Sequence, residues 1–200
     1  MVKPAPALQR YDFELIASWI PEGSRVLDLG CGDGVLLAGL AATHGVKGYG
    51  IEIDDANILA SVKNGVQVVQ SDIEDSLGWF GDGAFDFVIL SQTLQAMRNA
   101  ETVLHGMLRV GREGIVTFPN FGYWSHRWQI MKGRMPVSRD LPYQWYDTPN
   151  IHLCTVADFD AFLRERDCVV ENRVVLSGGH AVNMLPNWLG QLAIYRFRRK

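Results

Sequence analysis

The chain carries the stretch VLDLGCGDG from Val26 to Gly34. Its first half is an apolar run typical of a buried β-strand, and its second half has glycine at every second position. Glycine lets the backbone pass close to a ligand at points where a Cβ atom would collide. In open α/β sheets, ligands bind at such a loop beyond the carboxyl end of a strand. The stretch therefore predicts an α/β fold with a small-molecule site at this loop.

Strand and helix patterns alternate through most of the chain. The predicted strands are 25–29, 48–53, 67–70, 85–90, 114–118, 168–176 and 192–197, and the predicted helices are 8–20, 35–43, 54–63, 102–110, 123–131 and 155–166. Apolar strands joined by helices indicate a mainly parallel sheet that is covered on both faces. We therefore expect a Rossmann-like α/β fold with a seven-stranded, mostly parallel sheet and an antiparallel edge strand.

Length and composition limit the classes of function. The chain has 200 residues, of which 48% are hydrophobic and 20% charged, and its net charge is −3. This length predicts a single domain over residues 1–200, and the charge argues against a nucleic-acid or membrane partner. No apolar run approaches the roughly 18 residues of a membrane span, and Met1–Arg10 lacks a signal core. The three cysteines are too widely spaced for a zinc motif, so we expect a cytoplasmic protein without a metal site.

Acidic residues around the glycine loop favour one kind of cofactor over another. A dinucleotide fingerprint needs Gly or Ala where this chain has Val35. The carboxylates of Asp28 and Asp33 would repel a pyrophosphate but attract an ammonium or sulfonium group. Glu52 follows the loop at the end of the second strand and can accept hydrogen bonds from ribose hydroxyls. Asp72 follows the third strand and can accept one from the exocyclic amine of adenine.

Taken in order, these residues resemble the cofactor site of class I S-adenosylmethionine (SAM)-dependent methyltransferases. The resemblance covers about residues 26–118 and implies SAM or S-adenosylhomocysteine (SAH) as the cofactor. By analogy with that family, Asp28 or the backbone of Gly30 would face the methionine amino group. The candidate cofactor-binding residues are Asp28, Gly30, Cys31, Gly32, Gly34, Glu52, Ile53, Asp72, Ile73 and Ser91.

The half of the site that would hold a methyl acceptor shows no catalytic residue in the sequence. Related small-molecule methyltransferases often place a histidine in the turn after the fourth strand, where this chain has Ala96. The Asn/Asp-Pro-Pro-aromatic motif of amide- and base-methylating enzymes is absent from that turn as well. His126 and His152 are candidates for lining a pocket. The catalytic residues are therefore left unassigned, and whether the protein is an enzyme stays open.

Residues 119–150, here called the aromatic insertion, interrupt the strand–helix pattern. They contain four of the eight prolines and three of the six tryptophans of the chain. Disordered segments are poor in aromatic residues, so the insertion is predicted to be packed. It could form a lid over the cofactor site, a contact surface for another protein, or both.

Four stretches in and around the insertion are similar to the MetW family of methionine-biosynthesis proteins. They are FPNFGYW at 118–124, GRMP at 133–136, LPYQWYDTPNIH at 141–152 and PNWLG at 186–190. The resemblance implies a protein that acts with, or activates, a homoserine O-acyltransferase of the MetX type. The alternative is a catalytically active SAM-dependent methyltransferase acting on an unidentified small molecule. Methylation of nucleic acid is disfavoured by the net charge and the missing motif.

Overall fold

The computed structural model describes residues 11–200, so the predicted helix start at Leu8 and the stretch Met1–Arg10 lie outside the described residues. One sheet has the strand order β3-β2-β1-β4-β5-β8-β6-β7. Its strands are β1 (Arg25–Leu29), β2 (Lys47–Glu52), β3 (Gln67–Gln70), β4 (Phe85–Ser91), β5 (Gly111–Pro119), β6 (Cys168–Ser177), β7 (His180–Ala181) and β8 (Leu192–Arg199).

Helices connect the strands and cover the sheet. They are α1 (Tyr11–Trp19), α2 (Val35–His44), α3 (Asp55–Lys63), α4 (Ile73–Ser76), α5 (Ala100–Val110), α6 (Trp124–Met131), α7 (Val156–Glu165) and α8 (Pro186–Leu189). Within residues 11–200, no helix is long and apolar enough to cross a membrane.

The sheet confirms the predicted α/β class and its mostly parallel character. β1 to β5 pair in parallel with one another, whereas β8 runs antiparallel to both β5 and β6. The sheet has eight strands and not seven, because the two-residue strand β7 pairs with the end of β6. Gly178 and Gly179 both have positive φ angles and form the tight turn between β6 and β7. A strand of two residues is too short to leave a period-2 pattern in the sequence.

Apolar side chains fill both faces of the sheet. On β1, Leu27 and Leu29 belong to one core cluster and Val26 to the other, and all three are fully buried. This two-sided burial is the reason that the strand reads as an uninterrupted apolar run. Because successive side chains of β1 are buried on opposite faces of the sheet, the strand is held in place up to its carboxyl end. The glycine loop begins at that end.

The aromatic insertion follows β5 directly and is anchored at several points. α6 lies inside it, and the side-chain amide of Gln129 both donates to the carbonyl of Val137 at 3.2 Å and accepts from its N–H at 3.1 Å. Beyond the insertion, the N–H groups of Ile151 and His152 donate to the carbonyl of Gln95 at 2.7 and 2.9 Å. The segment after the insertion is thereby held against the turn that follows β4.

Candidate functional site

The glycine loop, residues 30–34, leaves the carboxyl end of β1 and leads into α2. Its three glycines have φ angles of +73°, +59° and +75°, a left-handed conformation that residues with a Cβ atom rarely adopt. The N–H groups of Gly30 and Cys31 donate to the carbonyl of Ile51 at 2.8 and 3.1 Å. The loop is therefore docked on β2, and its backbone geometry accounts for the spacing of the glycines.

The surroundings of the three glycines differ. A Cβ atom on Gly30 would lie 2.9 Å from Thr93 Oγ1, and one on Gly34 would lie 2.8 Å from Ser61 Oγ. A Cβ atom on Gly32 would meet nothing within 4 Å. Gly30 and Gly34 thus allow close packing inside the protein, whereas Gly32 borders open space. Gly32 marks the side of the loop from which a ligand can approach.

Glu52 connects the end of β2 to this loop. Its Oε2 accepts a hydrogen bond from the N–H of Gly32 at 2.8 Å, and its Oε1 accepts from Ile53 and Asp54 at 2.8 and 3.0 Å. A carboxylate has about four acceptor positions, so these three bonds leave room for one more donor, at Oε2. Glu52 is buried and holds the loop in shape before any ligand binds.

Two side chains at the end of α3 also hold the loop, those of Ser61 in the helix and of Asn64 directly after it, and no pattern in the sequence indicates them. Ser61 Oγ donates to the carbonyl of Gly32 at 2.9 Å, and Asn64 Nδ2 donates to the carbonyl of Asp33 at 2.8 Å. Polar residues in the last turns of an outer helix ordinarily face solvent. Their contacts with the loop depend on where the fold places this end of the helix, and no periodic pattern in the sequence shows that.

Cys31 lies in the loop as an unreactive thiol. Burial, reinforced by the nearby Asp28 carboxylate, raises the pKa of Cys31 to about 12. The thiolate is the nucleophilic form of cysteine, and it is nearly absent at neutral pH when the pKa is this high. The role of Cys31 is to fill space between the loop and β2.

The remaining candidate residues lie at neighbouring strand ends but differ in exposure. Asp28 is buried on β1 between Gly50 of β2 and Ile89 of β4. Ile53 is exposed, whereas Ile73 is buried in the core. The exposed side chain of Asp72 caps α4, its Oδ1 accepting from the N–H of Glu74 at 2.9 Å.

Ser91 is half-buried at the end of β4. Its hydroxyl lies 3.2 Å from the hydroxyl of Thr117 on β5. The structure therefore brings the glycine loop and Glu52 into direct contact, and it places Asp72 and Ser91 at strand ends on either side of them.

A cleft of about 860 Å³ adjoins the loop. Its walls come from α1, the turn after β4 and the aromatic insertion, and they include Asp12, Gln92, Asp140 and Tyr143. Asp33 of the glycine loop and its neighbour Val35 also line the cleft, so the two features are continuous. Ala96 is part of the cleft wall as well, so the position where related methyltransferases often carry a histidine faces this space.

Gln92 and Asp140 are residues of this cleft that the sequence patterns did not single out. Gln92 has a φ angle of +52°, a strained conformation that clusters at functional sites when a residue other than glycine adopts it. Burial raises the pKa of Asp140 above its usual range, against the opposing effect of Arg139. The cleft thus combines amide and carboxylate groups within reach of the glycine loop.

The two histidines considered from the sequence lie elsewhere. His126 is buried inside the insertion, where its Nε2 lies 2.9 Å from Ser138 Oγ, and burial lowers its pKa. His152 is exposed and is anchored through its backbone N–H. In the part of the chain that the structure describes, no three His, Cys, Asp or Glu side chains are grouped as metal ligands would be.

Two solved structures with a similar fold are SAM-dependent methyltransferases. One from Mesorhizobium loti has a TM-score of 0.70 at 14% identity, over 96% of this chain and 99% of that one. A TehB-like methyltransferase from Corynebacterium glutamicum has a TM-score of 0.65 at 15% identity, over 96% of this chain and 89% of that one. The chain therefore has the Rossmann-like fold of class I SAM-dependent methyltransferases, as predicted.

Sequence comparison gives the family. A curated relative, the bifunctional methionine biosynthesis protein MetXA/MetW of Rhodopirellula baltica, is 38% identical over an alignment of 181 residues that covers 86% of this chain. The matched region spans only 29% of that longer protein. The family model of the methionine biosynthesis protein MetW matches residues 10–197. The chain therefore belongs to the MetW family of methionine-biosynthesis proteins.

Proposed function

We propose that this protein is the partner subunit of a homoserine O-acyltransferase of the MetX type and that it binds SAM or SAH at the glycine loop. The observation that carries the proposal is the relative in which a MetW unit and a MetXA unit share one polypeptide. A covalent link keeps two units at a high effective concentration, which favours units that act together.

The cofactor part of the proposal is supported by the fit of the residues. The open space beside Gly32 leaves room for a ligand to pass the backbone closely. The free acceptor position on Glu52 suits one ribose hydroxyl, and Asp72 at the adjacent strand end suits the adenine amine. The buried carboxylate of Asp28 at the end of β1 suits the ammonium group. SAM, when bound, supplies a methyl group on a sulfonium centre.

The insertion supports a role toward both ligand and partner. Asp140 and Tyr143 line the cleft, so this part of the insertion acts as a wall or lid of the site. Trp145 and Tyr146 are 73% and 70% exposed, and aromatic residues of this kind dominate protein–protein hot spots. We propose that residues 1–200 form one domain in which the insertion reports the state of the cofactor site to the acyltransferase. A cytoplasmic location fits a role in amino-acid biosynthesis.

Reconstitution tests this function. The acyltransferase of the same organism is purified alone and together with this chain, and acyl transfer to homoserine is measured with increasing SAM. We expect co-elution of the two proteins, higher activity with this chain, and a SAM-dependent change in that activity. Separate elution and identical activity would contradict the partner role. Unchanged activity and unchanged assembly on addition of SAM would contradict only the regulatory role of the cofactor.

A second candidate function is methyl transfer to a small molecule. The observation that favours it is the cleft next to the loop, with Asp140 as a carboxylate whose pKa is raised by burial. A base with a raised pKa can take a proton from an acceptor amine or hydroxyl. Incubation of the protein with methyl-labelled SAM and a metabolite extract tests this function. A labelled product that is absent when Asp140 is replaced by Asn would support it.

A further inference from the structure

A second apolar surface lies away from the cofactor site. It is formed by exposed side chains of α6 and of the segment around α8, and we call it the α6–α8 surface: Trp124, Trp128, Met184, Leu185, Trp188 and Leu189. Monomeric proteins rarely expose contiguous apolar patches, and such patches mark interaction sites. The two parts are in contact, because the guanidinium of Arg127 lies 5.0 Å from the ring centroid of Trp188.

Leu185 combines an exposed side chain with an unusual backbone conformation. Leu185 has φ +44° and ψ +52°, the left-handed conformation, and its side chain is 68% exposed. This conformation is unfavourable for a residue with a Cβ atom. A glycine would adopt it without strain. A side chain this exposed adds little to packing within residues 11–200, and a contact with another protein would account for a leucine at this position.

The segment around α8 is held rigidly. Asn120 is fully buried directly after β5, and its Nδ2 donates to the carbonyls of Asn187 and Gly190 at 3.2 and 2.8 Å. Next to α8 lies a groove of about 370 Å³. Its lining is partly apolar, from Leu185, Trp188 and Val156 of α7, and partly charged, from Arg127, Asp160 and Arg173. A rigid groove with both apolar and charged lining loses little conformational entropy when a partner side chain enters it.

We propose that the α6–α8 surface is the docking site of the acyltransferase subunit. The proposal rests on the proposed function, and it extends the contact surface beyond the aromatic insertion to the segment around α8. The occupant is chosen because the Rhodopirellula baltica relative carries a MetXA unit on the same chain as its MetW unit. A side chain of that subunit packs against Leu185 and Trp188 in the groove, and the exposed tryptophans of α6 extend the contact surface.

Two variants test the site by different means. Trp188→Ala removes the largest side chain of the groove, and Leu185→Gly removes the exposed leucine while relieving its backbone strain. Matched controls are Trp79→Ala and Leu59→Ala, whose side chains are 59% and 62% exposed on other elements, against 47% for Trp188 and 68% for Leu185. Affinity for the acyltransferase is measured by calorimetry, and thermal unfolding checks the fold.

We expect Trp188→Ala and Leu185→Gly each to weaken binding at least about 10-fold, as hot-spot truncations do, while the controls bind like the wild type. Leu185→Gly is expected to melt at the wild-type temperature or above it. If the wild-type pair forms and both variants bind normally, the docking site is overturned and the partner role stands. If the wild-type proteins do not associate, the proposed function itself fails.

A further outcome concerns self-association, which sedimentation of the chain alone detects. A dimer of this chain that Trp188→Ala abolishes would show that a second copy occupies the surface, and would overturn the assignment to the acyltransferase. A monomer in the absence of the acyltransferase is the expected result.

Discussion

At the scale of single residues, the variant Gly32→Ala is expected to affect stability only slightly and ligand affinity strongly. Replacing Gly32 with Ala forces a Cβ atom into the left-handed conformation, which costs about 1 kcal/mol. The new Cβ atom contacts no protein atom within 4 Å but occupies the open space in which we place the cofactor. We therefore expect a small loss in the free energy of unfolding, measured in urea, and a loss of SAM affinity of at least about 10-fold, measured by calorimetry.

Gly23→Ala is the matched control for this variant. Gly23 has a φ angle of +71°, and a Cβ atom added there would also meet nothing within 4 Å. It precedes the amino end of β1, whereas the glycine loop follows the carboxyl end. The control should lose similar stability and keep the wild-type SAM affinity. Equal SAM affinity in the two variants would contradict the placement of the ligand beside Gly32.

Glu52 allows a prediction about stability without ligand. Glu52→Ala leaves the N–H groups of Gly32, Ile53 and Asp54 without their carboxylate acceptor. We expect the free energy of unfolding to fall by about 1–3 kcal/mol, the usual penalty for polar groups that lose a buried partner. Glu22→Ala, at an exposed position, should change it by less than about 0.5 kcal/mol. Urea denaturation of the unliganded proteins measures both, and equal values would show that Glu52 does not hold the loop.

The sequence singles out candidate site residues whose chemical type is unusual for their place, and their role in cofactor binding stays a prediction. Alternating glycines and an acid at the end of an apolar strand are such signals, and the contact of Glu52 with Gly32 joins them. The sequence could not predict Ser61 or Gln92, because their roles depend on which neighbour the fold places opposite them. For Gln92 the signal is a backbone angle, and glutamine has no preference for that angle that a sequence pattern could reveal.

At the scale of secondary structure, Asn120 joins the turn after β5 to the start of α7 and to the segment around α8. Its Nδ2 bonds to the end of α8, and its Oδ1 accepts from Gly122 N at 3.0 Å and from Val156 N at 3.2 Å. Asn120→Ala removes all of these hydrogen bonds in a buried position, and we expect the free energy of unfolding to fall by about 2–4 kcal/mol. Chemical denaturation measures this loss.

Asn172→Ala, at an exposed position of β6, is the control and should be close to neutral. We also expect Asn120→Ala to weaken the acyltransferase complex, because the segment around α8 loses its support. A variant with wild-type stability would show that Asn120 is not the centre of this network.

The predicted elements were reliable where length and capping signals were strong. The helix predicted from Thr155 begins at Val156 with both hydrogen bonds of a capping box. The four-residue helices α4 and α8 were not predicted, because a single turn carries no helical period. α8 forms where Asn120, 67 residues away, binds its carbonyl groups, and this contact is invisible in the local sequence.

At the scale of the whole molecule, cofactor binding should stabilise the fold. A ligand present at 100 times its dissociation constant adds about 2.7 kcal/mol to the free energy of unfolding. For a chain of this length, that is an increase in melting temperature of about 5–10 °C. Tryptophan fluorescence during heating measures this increase with SAM and with SAH. NAD is the control and should not change the melting temperature, because the carboxylates of Asp28 and Asp33 repel its pyrophosphate. An unchanged melting temperature with millimolar SAM or SAH would contradict the proposed cofactors.

The position of β8 inside the sheet has a consequence for how the chain folds during synthesis. Residues 192–199 pair with β5 on one side and with β6 on the other. The parallel strands β1 to β5 emerge from the ribosome long before β8, and during that time β5 presents an unpaired edge, which is prone to association with other chains. This edge of β5 is covered only when β8 pairs with it. A ribosome that stalls before residue 192 would therefore hold a nascent chain with an open sheet edge, a natural target for chaperones.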